Sequence, residues 1–130
     1  MPHFSPRSLE RLHTCDVRLQ TLFKKVIEDF DCTILCGYRG EQEQNRAFES
    51  GKSKLRFPQS KHNQNPSHAV DVAPYPVDGE DRERMTFFAG FVFATALSLR
   101  IPLRWGGDWD SDTEVKDNSF DDLVHFEIKE

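Results

Sequence analysis

Two histidines, His62 and His125, and two aspartates, Asp71 and Asp122, have the types and spacing to do chemistry together. Asp71 follows His62 within Ala69-Val70-Asp71-Val72, and Asp122-Leu123-Val124-His125 answers it far along the chain. Two imidazoles and one carboxylate can hold a zinc ion. Three protein ligands leave the fourth tetrahedral position to water, which separates a catalytic zinc from a closed structural one. Asp122, three residues before the last ligand, could handle protons. Five histidines in 130 residues will meet acids by chance, but the ordered arrangement of these four residues favours a metal site.

The elements that must position them can be read from periodicity. With Ser8 as N-cap, Leu12, Cys15, Leu19, Leu22, Phe23, Val26 and Phe30 recur at three- and four-residue steps, which predicts one long helix ending near Asp29 and Asp31. Cys32–Cys36 is β-prone and leads through Gly37-Tyr38 to Arg39, at a strand's end. Glu41 to Ser50 suits a short helix closed by Gly51. The polar stretch from Lys52 to Pro66 predicts an ordered loop carrying His62. In the strand His68 to Ala73, Val70 and Val72 share one face while Ala69, Asp71 and Ala73 share the other. His68 has the parity of the valines, which favours a packed or edge histidine over a ligand.

A second long helix is expected from Asp81 to Leu99, with Phe87, Phe88, Phe91, Val92, Thr95 and Leu99 as a broad apolar stripe. Leu103-Arg104-Trp105 follows as a short strand. In the last strand Val124, Phe126 and Ile128 should face the core, with His125 and Glu127 facing outward. Asp71 and His125 then converge if their strands are neighbours. Asp122 joins them only if the chain bends before His125, and a turn at Asp117-Asn118-Ser119 could supply the bend. The expected fold is α+β: a small antiparallel sheet packed with two long helices and one short one.

Composition narrows the function classes. A chain of 130 residues with 37% hydrophobic residues can build one core and no second domain. The net charge of −5 leaves no broad basic surface, so nucleic acid is not the expected partner. Cys15, Cys32 and Cys36 are read as reduced core thiols. Phe87 to Leu99 is shorter than the roughly 20 residues that span a bilayer, so no membrane insertion is expected. The N-terminal residues contain no apolar run resembling a signal peptide.

At the quoted residues the sequence resembles the zinc-dependent D-alanyl-D-alanine carboxypeptidase and L-alanyl-D-glutamate endopeptidase family of peptidoglycan hydrolases. Its members include small bacteriophage endolysins, and its fold is shared with the hedgehog signalling domain. The motif carriers are Ser60-Lys61-His62, Ser67-His68-Ala69-Val70-Asp71 and Asp122-x-x-His125. Ser67 stands where the family usually has glycine, and two extra residues separate it from His62. A loop with Asn65-Pro66 can absorb that insertion. Arg39-Gly40-x-x-x-Gln44-x-x-Ala47-Phe48-x-x-Gly51 matches a further family segment in the expected order.

The resemblance implies a zinc site of His62, Asp71 and His125, with Asp122 moving protons and Arg39 on the substrate side. There a guanidinium can grip a stem-peptide carboxylate in a two-pronged fork. Gln44 and Ser60 are candidates for supporting hydrogen bonds to the substrate. The expected substrate is the peptidoglycan stem peptide, cut between L-alanine and D-glutamate, with removal of a terminal D-alanine as the alternative. The expected setting is a monomeric endolysin that accumulates in the host bacterial cytoplasm and needs a holin-type pore to reach the wall.

Four further features invite weighing. Asp108, Asp110, Asp112 and Glu114 alternate like calcium ligands, though the glycine and distant glutamate of an EF-hand are missing; a solvated acidic loop is the plainer reading. Trp105 and Trp109 could line a groove or simply pack. Lys52, Lys54, Arg56 and Lys61 form a local basic patch beside the presumed site. His62-Asn63 in a basic loop admits a metal-dependent nuclease, but such sites are compact, whereas these ligands are spread along the chain. A non-catalytic binding module is the other alternative, and it would have no need of Asp122.

Overall fold

The computed structural model describes residues 2–116 and 120–130, so the turn expected at Asp117-Asn118-Ser119 lies outside the described residues. The single first helix of the sequence reading is two: α1 (Pro6–Leu12) and α2 (Val17–Val26). Ser5, not Ser8, caps α1, accepting from the Ser8 N–H at 3.1 Å, while the buried Ser8 hydroxyl accepts from Ile34 N at 3.0 Å. Asp16 starts the second helix by accepting from Arg18 N at 2.8 Å. The break occurs where the loop before β2 docks, with Asp16 N donating to Ser67 O (2.8 Å) and Ser67 N to Thr14 O (2.9 Å). Leu12, Cys15 and Leu19 are all buried, so the apolar period runs on across the break and conceals it.

β1 (Cys32–Cys36) follows, then α3 (Glu41–Glu49), a 3-10 turn at Lys61–Asn63, β2 (Ala69–Pro74), α4 (Arg82–Ser98), β3 (Leu103–Gly106) and β4 (Asp122–Ile128). Gly51 takes a left-handed φ of 83° just past α3, the conformation expected where a helix stops on glycine. The four strands form one antiparallel sheet in the order β1-β2-β4-β3. The architecture is the α+β class expected.

Helices α2 and α4 cover one face of the sheet. Phe126 of β4 lies fully buried between them, its ring 5.5 Å from Phe23 and 6.1 Å from Phe88. Burying a Phe side chain of this kind contributes about 2–3 kcal/mol. The apolar stripe on α4 is narrower than expected. Met85, Phe88, Ala89, Val92 and Ala96 are buried, whereas Phe87 is 71% exposed.

The functional features lie on the other face. Asp71 stands opposite His125, and Cys36 opposite Asp71, in the register of β1, β2 and β4. The pairing of β3 with β4 jumps between Trp105↔Phe126 and Gly106↔Asp122. This irregularity re-aims the start of β4: Leu123 packs against the core, while Val124, expected there, lines the opposite cleft. Asp122 and His125 can therefore share a face although three residues separate them. A side chain at Gly106 would collide with the Asp122 carbonyl, so glycine permits the close approach of the strands.

Candidate metal centre

His62 sits on the 3-10 turn and is 2% exposed. The turn is closed at both ends, since the Ser60 hydroxyl accepts from His62 N (3.2 Å) and Asn63 Oδ1 accepts from Ser60 N (3.0 Å). It is also tied to the segment after β1: Arg39 N donates to His62 O (2.8 Å), and Asn63 Nδ2 to Arg39 O (2.9 Å). The expected loop histidine is thus a fixed, interior one.

One carboxylate gathers the cluster. Asp71 Oδ1 lies 3.1 Å from His62 Nε2 and 3.4 Å from His125 Nδ1, while Oδ2 lies 3.4 Å from an Arg39 guanidinium nitrogen. The two imidazoles meet edge to face with centroids 5.1 Å apart. Donor atoms of His62, Asp71 and His125 all fall within 4.8 Å of one another, so this group could hold a metal ion.

The donor chemistry fits a cation. His62 Nδ1 lies 2.8 Å from the Gly37 carbonyl, an acceptor, so Nδ1 carries the proton and the neutral ring turns the Nε2 lone pair on Asp71 Oδ1. Two acceptors at 3.1 Å repel unless a positive charge lies between them. Burial disfavours a charged His62, yet the Asp71 charge and hydrogen bond outweigh it and raise the pKa to about 10. Asp71 moves the other way: burial would raise it, but His62 and His125 hold it well below the usual carboxylate range. A metal ion would displace that proton.

Asp122 Oδ2 is 4.0 Å from His125 Nδ1, at the wall of a cleft of about 1140 Å³ that also exposes Arg39 and Ser60. Burial, and then the neighbouring Asp71 charge, push Asp122 above its ordinary pKa. Arg39 Nη1 donates to Gln44 Oε1 at 3.1 Å. Gln44 itself is fully buried, its amide nitrogen donating to Leu55 O (2.6 Å) and Ser53 Oγ (2.9 Å), and it is not part of the cleft wall.

His68 stays outside the cluster, with Nδ1 2.6 Å from Glu130 and Nε2 3.7 Å from Asp16. Trp105 is a core residue at 2% exposure, whereas the Trp109 ring lies 5.3 Å from His125 on the cleft rim. Lys52, Lys54 and Lys61 of the basic patch line the cleft, while Arg56 stacks on Phe48 at 4.5 Å. Asp108, Asp110 and Asp112 bring carboxylates within 4.8 Å of one another without Glu114. The two Asp108 oxygens accept from the backbone of Asp112 (3.2 Å) and Thr113 (3.0 Å), folding that loop on itself.

Sequence reasoning gave Glu127 no role. The carboxylate is 5% exposed and lies 2.8 Å from His125 Nε2. Burial would raise its pKa, but His125 and Arg104 hold it down to about 2. The signal was present in His125-x-Glu127, since strand parity places both side chains on one face.

Three comparisons bear on this geometry. The family model of the phage L-alanyl-D-glutamate peptidases matches residues 1–129. The L-alanyl-D-glutamate peptidase of Escherichia phage T5 is 29% identical over 127 residues, covering 91% of this chain and 92% of that protein. In fold, the crystal structure of the Serratia marcescens L-Ala D-Glu endopeptidase ChiX superposes with a TM-score of 0.76. It is 23% identical, and the match covers 98% of this chain and 90% of that one.

Proposed function

We propose that this chain, which belongs to the phage L-alanyl-D-glutamate peptidase family, is a zinc peptidase that cuts the L-alanyl-D-glutamate bond of peptidoglycan stem peptides as an endolysin. The observation that carries the reading is the grouping of His62, Asp71 and His125 on the floor of a cleft with Asp122 beside them. Two imidazoles and a carboxylate are the donor set of an open zinc site.

His62, Asp71 and His125 would hold the ion, which when bound supplies Lewis acidity to the scissile carbonyl and lowers the pKa of water to about 7. Asp122 takes the proton from the attacking water and returns it to the departing D-glutamate nitrogen. A carboxylate placed beside the attacking water can both accept and donate in this way. Arg39 reaches into the cleft while bonded to Asp71 and Gln44, and guanidinium N–H groups beyond those bonds can grip a stem-peptide carboxylate.

Gln44 and Ser60 act through their neighbours. Gln44 is sealed from the cleft and orients Arg39, and Ser60 fixes the turn that carries His62. We further assign the chain one domain, acting as a monomer, which reaches the wall after release through a holin-type pore. No helix among the described residues is long and apolar enough to cross a membrane.

The test is mass spectrometry of purified peptidoglycan after digestion. New L-alanine C-termini and D-glutamate N-termini are expected, disappearing with a chelator and returning with zinc. Release of terminal D-alanine instead would assign the carboxypeptidase reaction, and cleavage indifferent to chelation would remove the zinc.

A further inference from the structure

We propose that Glu127 is the positioning carboxylate of the metal centre, fixing the His125 ring with Nδ1 free for the ion and tying the turn that bears His62 to β4. The inference rests on the zinc reading above and adds to it how two separated segments are held in ligand geometry.

An ionised carboxylate only accepts hydrogen bonds. Glu127 Oε1 at 2.8 Å therefore requires the proton on His125 Nε2, which leaves Nδ1, 3.4 Å from Asp71, as the nitrogen an ion would take. The opposite tautomer would set two acceptors against each other at Glu127 and present a proton to the metal position. A histidine ligand whose far nitrogen donates to a carboxylate gains both orientation and basicity.

The second oxygen does different work. Glu127 Oε2 accepts from Arg104 at 2.7 and 3.1 Å, its direct partner across the β3–β4 pairing, and lies 3.1 Å from Lys61 Nζ. Lys61 also donates to Ile128 O at 2.6 Å. Lys61 immediately precedes His62, so one carboxylate braces both histidine-bearing segments. With only 5% exposure it is shielded from the water that would otherwise loosen such pairs.

The experiment compares wild type with Glu127→Gln, which keeps the volume and one acceptor but loses the charge. Arg104 and Lys61, 36% and 25% exposed, can turn to water in the variant. Zinc affinity is measured by competition with a chromogenic chelator, alongside the melting temperature of both metal-free proteins. A 10–100-fold weaker zinc affinity with a near-unchanged metal-free melt is expected. Equal affinity in the two proteins would overturn the proposal while leaving the zinc site standing. No zinc binding by wild type would instead overturn the site itself, and the proposal with it.

Nitrogen-15 NMR of zinc-loaded wild type gives an answer that does not depend on the variant folding. His125 should show its proton on Nε2, and a proton on Nδ1 would overturn the assignment.

Discussion

Asp71 meets both histidines through one oxygen and Arg39 through the other, so the group that anchors the cluster is also wired to the substrate side of the cleft. Asp122 stands apart from this web, 4.0 Å from His125 and 29% exposed. That separation makes its proposed role testable without disturbing the proposed ligands. Asp122→Asn preserves shape and removes the proton acceptor, so kcat should fall about 10²–10⁴-fold, with KM and zinc affinity within a few-fold of wild type. A kcat within tenfold of wild type would assign proton transfer to another group. His62, Asp71 and His125 were legible because histidine is scarce, at five residues, and strand parity sorts the directions of Asp71 and His125. The Gly37 carbonyl was not, because its meaning depends on a partner from a distant segment, and the parity that pairs Glu127 with His125 gave no sign of its Arg104 and Lys61 partners. Gln44 was misjudged as a substrate contact for the same reason: burial is a property of the packed chain.

At the scale of elements, the junction between α1 and α2 holds the loop that leads into β2. Asp16 caps α2, pairs with the Arg18 side chain at 2.9 Å and donates its backbone N–H to Ser67 O at 2.8 Å. Its pKa is lowered, first by the Arg18 hydrogen bond and against some burial. A depressed carboxylate contributes stability that is present above its unfolded pKa of about 3.9 and lost as pH falls through the lower folded value. Asp16→Ala should therefore cost about 1 kcal/mol at pH 7, and the gap from wild type should shrink at pH 3. Urea melts of the metal-free proteins at both pH values decide it; a gap that widens in acid would contradict this account. The sequence showed α4, expected from Asp81 to Leu99 and found at Arg82–Ser98, and the alternation of β2, but hid this junction. Leu12, Cys15 and Leu19 are buried straight across it, so the apolar rhythm never faltered. The irregularity before His125 was equally silent, because it follows from how β3 pairs with β4.

Over the whole molecule, a net charge of −5 coexists with a cleft lined by Arg39, Arg46, Lys52, Lys54, Lys61 and Arg104. Composition reports the sum, whereas recognition of an acidic stem peptide depends on where the charges lie. Burial pushes the Cys15 and Cys32 thiols up to about 12, as core thiols require, whereas Cys36, expected with them, is half-buried and lines the cleft. Because His62, Asp71 and His125 come from the 3-10 turn, β2 and β4, an ion bound there would join distant parts of the fold. Zinc at about 100 times its Kd should stabilise the native state by about 2.7 kcal/mol, a rise in Tm on the order of 10 °C. Calorimetry with and without chelator measures this, and an unchanged Tm would mean that the groups hold no ion.

β4 comes after β2 and β3 in the chain but is inserted between them in the sheet. A nascent polypeptide, or one whose sheet has opened, carries His62 and Asp71 without the residues that complete them. The proposed site is therefore complete only once β4 has been seated between β2 and β3.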